Sequence, residues 1–107
     1  MKASVRNIRI SPKKLNVIAF IVRNMKAKDA LDTLRFMQKK GANIIYDVVK
    51  SAVHNAEHND NQKIEDLKIA TISVSQGLVH RRINPISRGR AHRILKRTSH
   101  VDLTLSA

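Results

Sequence analysis

An α+β fold, with a body of helices and sheet that carries a long two-stranded arm, is what this 107-residue sequence predicts. Three observations predict it. Apolar residues recur with the 3.6-residue period of helices as far as Asn59, then alternate with the two-residue period of strands near 70–74 and 101–105. Between those two strands lies a stretch, 77–97, that is strongly basic, short of apolar residues, and interrupted by a turn-forming Pro85 and Gly89.

The elements follow in order. Residues 2–10 alternate, with Ala3, Val5, Asn7 and Arg9 opposite Lys2, Ser4, Arg6, Ile8 and Ile10, so a short strand is expected whose apolar side is clear only in its second half. Ser11 then suits an N-cap and Pro12 the first helical position, where a missing N–H costs nothing. Leu15, Ile18, Ala19 and Val22 make the stripe of this helix, Val17 and Ile21 widen it, and the helix is expected to be largely buried and to end near Asn24. A second helix from Ala27 places Ala30, Leu31, Leu34 and Met37 on one face, with Gly41 positioned to cap a helix C-terminus. The third covers 41–59 with a stripe of Ile45, Val48, Val49, Ala52 and Ala56, closed by Asn59-Asp60-Asn61. Ala70, Ile72 and Val74, then Val101, Leu103 and Leu105, mark two strands that should pair antiparallel.

Length supports one core, so 1–107 is expected to be one domain, with a body of 1–76 and 98–107 and an extended hairpin of 77–97. A globule of about 65 residues is roughly 28 Å across. A strand from Leu67 to Pro85 reaches roughly 60 Å at about 3.3 Å per residue, so the hairpin must project beyond the body.

Charge narrows the function. Lys and Arg number 21 against 8 Asp and Glu, a formal net charge of +13, and such self-repulsion is relieved by a polyanion. Nucleic acid is the expected partner. No apolar run approaches the roughly 20 residues of a spanning helix, so no membrane partner is expected. The start of the chain lacks the apolar segment of a secretory leader, so the protein is expected to stay in the compartment where it is made, the cytoplasm or an organellar matrix. With no cysteine there is no disulfide framework and no thiolate metal site. Phe20, Phe36 and Tyr46 are the only aromatic residues, and all lie in predicted helices. That disfavours a reader that stacks bases on an exposed sheet and favours recognition of phosphates, 2′-hydroxyls and shape.

The arm concentrates the candidates. Arg81, Arg82, Arg88, Arg90, Arg93, Lys96 and Arg97, with His80 and His92 among them, occupy a segment that contains no acidic residue. Guanidinium forks bond phosphate in pairs and stack on bases, so an arm that is mobile alone should become ordered on RNA. Seven such contacts imply a log-log salt slope of order −5 to −6. Arg9, Lys13 and Lys14, with Lys39 and Lys40 further on, are candidates for a second patch on the body, although a plain solvated helix surface explains them equally well.

Catalysis finds no candidates. His54-Asn55-Ala56-Glu57-His58 has the His-x-x-Glu-His spacing of inverted zinc peptidases. A working centre also needs a third protein ligand and a walled cleft. Two histidines one turn apart on a helix border, bonded to backbone, phosphate or water, are the preferred account. No cofactor, metal or small-molecule substrate is expected.

Four stretches carry a resemblance over nearly the whole chain: Arg9-Ile10-Ser11-Pro12-Lys13-Lys14, Ser51-Ala52-Val53-His54-Asn55-Ala56-Glu57-His58-Asn59, Gly89-Arg90-Ala91, and Arg93-Ile94-Leu95-Lys96-Arg97-Thr98-Ser99-His100. In these the chain resembles the bacterial-type large-subunit ribosomal protein twenty-two family. The resemblance implies three helices packed on a small antiparallel sheet, docked on large-subunit (23S-type) rRNA beside neighbouring ribosomal proteins near the outer mouth of the peptide exit tunnel. The hairpin would thread inward. Its tip, Asn84, Pro85, Ile86, Ser87, Arg88, Gly89 and Arg90, would line the constriction, meet the nascent polypeptide and lie near the macrolide site. A role in early subunit assembly is implied as well. The family usually has a basic residue after the tip proline, where this chain has Ile86, which puts individual tip contacts in question. On composition alone, a DNA-bending architectural protein with basic β-ribbon arms fits equally well.

Overall fold

The computed structural model describes residues 2–85, 89 and 91–106. In chain order the elements are β1 (Lys2–Ile8), α1 (Pro12–Val22), α2 (Ala27–Phe36), α3 (Lys40–Asn59), a 3₁₀ turn (Ile64–Asp66), β2 (Lys68–Pro85) and β3 (Ala91–Ser106). This is the expected α+β arrangement. The sheet is antiparallel with order β1-β3-β2, so the last strand lies in the middle. The helices pack on the sheet, with α1 against β2 and β3, α3 against β1 and β3, and α2 against α3.

The stripes read from periodicity form the core. Leu15, Ile18, Ala19 and Val22 of α1 interlock with Ala30 and Leu34 of α2 and with Ile45, Val48, Val49, Ala52 and Ala56 of α3. Leu67, Ile69, Ile72, Val101, Leu103 and Leu105 close it from below. Dimensions are 62 × 25 × 17 Å with a radius of gyration of 16.9 Å. A compact chain of this length would have about 13 Å. The excess is the arm.

Three bulges set the sheet's register. In β1, Val5 faces Val101 and Ile8 faces Ser99, so two residues of β1 span one of β3. Asn7 takes φ 55°, a left-handed conformation that asparagine tolerates better than most residues. The bulge switches parity: Ala3 and Val5 face the core before it, Ile8 and Ile10 after it. That explains why simple alternation found an apolar side only in the second half. In β2 one bulge falls at Ala70, between the pairs Ile69↔Leu105 and Thr71↔Thr104. Ile69 is therefore buried and Ala70 only partly so, although plain alternation puts Ala70 inward. The third bulge lies between Gln76↔Ser99 and Val79↔Arg97, placing Gly77 and Leu78 opposite Thr98. From Val79↔Arg97 the ladder runs to Pro85↔Ala91, about 20 Å of two-stranded ribbon.

Several expectations need correction. β1 ends at Ile8, and a tight turn with Ile10 N–H on the Ile8 carbonyl (2.9 Å) carries the chain to α1. α1 begins at Pro12 after an extended Ser11, but the Ser11 side chain makes no capping hydrogen bond. The helix stops at Val22, with Asn24 at φ 66° turning the chain. Nor is α1 largely buried. Val17 is 55% exposed, Phe20 76% and Ile21 44%, because none of the described elements covers that face. Gly41 caps nothing: α2 ends at Phe36 with Met37 as an extended C-cap, and Gly41 sits in the first turn of α3. A Cβ there would lie 2.6 Å from Ile18 Cδ1 and 3.2 Å from Leu15 Cδ2, so α3 packs closely on α1 and any side chain at 41 requires Ile18 to shift.

Candidate nucleic-acid interface

Where the arm leaves the body, local chemistry holds the strands in register. Thr98 and Ser99 are the buried polar residues of the described chain. The Thr98 hydroxyl donates to the Leu78 carbonyl (2.5 Å) and holds the third bulge. The Ser99 hydroxyl donates to the Ile10 carbonyl (2.6 Å) and ties the β1–α1 turn to the central strand. His100 Nδ1 accepts the Asn7 N–H (3.1 Å) and locks the β1 bulge. Three successive side chains thus fasten three irregular pieces of backbone. A Cβ on Gly77 would come 2.6 Å from Thr98 Oγ1 and 3.0 Å from His100 Cε1, so a side chain in this bulge requires those two groups to shift.

That scaffold shapes a cleft of about 460 Å³ between the β1–α1 turn, the start of α3 and the root of β3. Its basic lining is Arg9, Lys14, Lys40, Lys96 and Arg97. Lys40 Nζ donates to the Arg9 carbonyl (3.2 Å), fixing the two elements across it. Among the described residues that line the cleft, none is acidic. Five cations around one hollow repel each other at short range, and an anionic backbone laid between them relieves that repulsion.

Sequence-predicted residues divide accordingly. Arg9, Lys14, Lys96 and Arg97 converge in the cleft, joining a body patch and an arm patch that the sequence leaves separate. Lys13 is exposed on α1 outside it. His80 is half-buried on β2 opposite Lys96, and Arg81 is exposed opposite Leu95. Arg82, Asn84 and Pro85 fall on β2 and His92 and Arg93 on β3, paired Arg82↔Ile94, Ile83↔Arg93, Asn84↔His92 and Pro85↔Ala91. Gly89 has φ 70°, the left-handed region that favours glycine in a turn. Ile86, Ser87, Arg88 and Arg90 lie outside the described residues.

Other anchors escaped sequence reasoning. Arg23 Nη2 donates to the Ile72 carbonyl (3.0 Å), tying the end of α1 to β2. Asn55 Nδ2 donates to the Lys2 carbonyl (3.1 Å), tying α3 to β1. Nothing in their spacing singles these two out, since each is defined by a partner far along the chain. His54 and His58 are exposed with ring centroids 6.3 Å apart. Among the described residues no group of three His, Cys, Asp or Glu side chains comes together as a metal site. Among the described residues no helix is long and apolar enough to cross a membrane.

A helical body on a three-stranded sheet, a projecting ribbon, and a cationic cleft at the ribbon's root together define a nucleic-acid-binding structural protein. The family model of ribosomal protein L22p/L17e matches residues 3–106, and the chain belongs to that family. It is a structural component of the large ribosomal subunit that binds large-subunit rRNA alongside other ribosomal proteins, and not an enzyme. The DNA-bending alternative falls with that match.

Proposed function

We propose that the cleft at the root of the arm seats the body on large-subunit rRNA, while the arm runs along the wall of the nascent-peptide exit tunnel and supports subunit assembly. The observation that carries this reading is the convergence of Arg9, Lys14 and Lys40 from the body with Lys96 and Arg97 from the arm. A backbone held there spans both parts of the protein and sets the direction in which the ribbon leaves. On this reading Arg9, Lys13, Lys14, His80, Arg81, Arg82, Arg88, Arg90, His92, Arg93, Lys96 and Arg97 contact RNA. Asn84, Pro85, Ile86, Ser87, Arg88, Gly89 and Arg90 form the tip that faces the nascent polypeptide. The body, 1–76 with 98–107, is the docking unit and 77–97 the probe.

Replacing Arg9, Lys14, Lys96 and Arg97 together by alanine tests the docking. Binding to transcribed large-subunit rRNA should weaken, and the log-log salt slope should become shallower by about 3. Unchanged affinity with an unchanged slope would overturn it. For the tunnel, a photoreactive side chain introduced at Ile86 should crosslink to a stalled nascent chain in intact ribosomes, and labelling of rRNA alone would remove the tip from the tunnel wall.

A further inference from the structure

Beside the cationic cleft lies a second, smaller compartment, a notch of about 180 Å³ between α1 and the first turn of α3. Its walls are Ile10, Val17 and Ile18, with Gly41 between them. Ile10, Lys14 and Lys40 line both compartments, so the apolar notch and the cationic cleft share one edge. Among the described residues lining the notch, none is acidic.

We propose that this notch receives a single unstacked nucleobase of the bound RNA, with the phosphate of the same nucleotide held in the adjoining cleft by Lys14 and Lys40. The inference rests on the docking of RNA in the cleft and adds the mode of recognition. A nucleotide has two kinds of surface, the apolar faces of a base and an anionic phosphate, and the site offers both in adjacent compartments. Lysine is suited to the shared edge because its aliphatic stem can lie along a base while its ammonium reaches a phosphate. An apolar peptide segment would fill the notch but leave Lys14, Lys39 and Lys40 uncompensated. A free phosphate would satisfy the lysines but leave the walls wet.

Packing gives the notch its form. Gly41 lets α3 approach Leu15 and Ile18 closely, and any side chain there would enter space already held by Ile18. Val17 keeps more than half its surface exposed, so its aliphatic face is open to a base seated in the notch. Protein recognition of RNA sequence commonly targets bases splayed out of loops and bulges, where base faces are free to pack on side chains. Here the packing surface is aliphatic, formed by α1, the first turn of α3 and the turn before α1.

The test uses the full chain and transcribed large-subunit rRNA, with Val17→Glu set against Asn16→Glu. Both sites are exposed on α1, so both variants should fold and both add one negative charge, but only Val17 lines the notch. Base-specific chemical probing should show one unpaired base protected by the wild-type chain and by Asn16→Glu, and exposed with Val17→Glu. Affinity should fall about tenfold further for Val17→Glu than for the control, and an abasic nucleotide at the protected position should abolish that difference. If wild-type chain binds RNA with the expected salt slope but no base changes reactivity between the two variants, the notch holds no base and the docking reading stands. If the cleft variant binds RNA as well as wild type, docking in the cleft fails, and this inference with it.

Discussion

The Ser99 hydroxyl donates to the Ile10 carbonyl across 2.6 Å, in a position with no solvent access at Ser99. The bond joins the central strand to the turn that presents Arg9, and so couples a core position to the wall of the cationic cleft. Ser99→Ala leaves a shielded carbonyl without its donor. The expected cost is about 1–3 kcal/mol in denaturant unfolding. A loss below about 0.5 kcal/mol would mean that water replaces the hydroxyl.

The bulge at Gly77 should behave as a coupled unit with Thr98. Gly77→Ala places a methyl 2.6 Å from Thr98 Oγ1 and should destabilise the fold by about 1–3 kcal/mol. Thr98→Ala removes the bond to the Leu78 carbonyl and has its own cost. The double variant should be less damaged than the two single effects added, with a coupling above about 0.5 kcal/mol. Simple additivity in urea titrations would show that the methyl is accommodated some other way.

At Gly41 two effects oppose. Alanine is the better helix former by about 1 kcal/mol, but its Cβ meets Ile18 Cδ1 at 2.6 Å. Gly41→Ala should therefore destabilise the wild-type chain and become neutral or stabilising in an Ile18→Val background, where that methyl is gone. Thermal unfolding of the four chains decides it.

The Arg6–Asp102 pair makes a useful contrast. Its 3.2 Å contact joins side chains that are 58% and 46% exposed. Solvent screening limits such a pair, so Asp102→Asn should change stability by less than about 1 kcal/mol, and added salt should erase the difference. A larger loss, persisting at high salt, would give Asp102 another structural role.

For the arm, replacing Arg90, Arg93 and Arg97 together by alanine should weaken rRNA binding and flatten its salt dependence while leaving body unfolding nearly unchanged. Circular dichroism melts and filter binding over a salt series measure both. Equal melts with equal binding would take the arm out of the interface.

The legible parts of this protein are those governed by local geometry. Leu15, Ile18, Leu34, Ile45 and Val49 reveal their burial by a spacing of three and four, because that spacing places side chains on one face of any helix. Pro12 marks the start of α1 for a reason internal to its own ring. Less legible were Val17 and Ile21, which look like core on the helix yet face outward. Helical periodicity reports which residues share a face and says nothing about whether another element covers it. Gly41 misled for a related reason: the same absence of a side chain serves a C-cap or a close helix crossing, and only the neighbour distinguishes them.

The class of fold, the polyanionic partner and the basic arm can be read from residue order, because period, charge and turn chemistry act over a few residues. It takes the folded chain to show that β3 lies between β1 and β2, that bulges at Asn7, Ala70 and Gly77 reset which side chains face inward, and that Arg9, Lys14 and Lys40 meet Lys96 and Arg97 around one cleft. The physical reason is distance along the chain. Those outcomes depend on contacts between residues as far apart as Ile10 and Ser99, formed by packing and buried hydrogen bonds that no local pattern encodes.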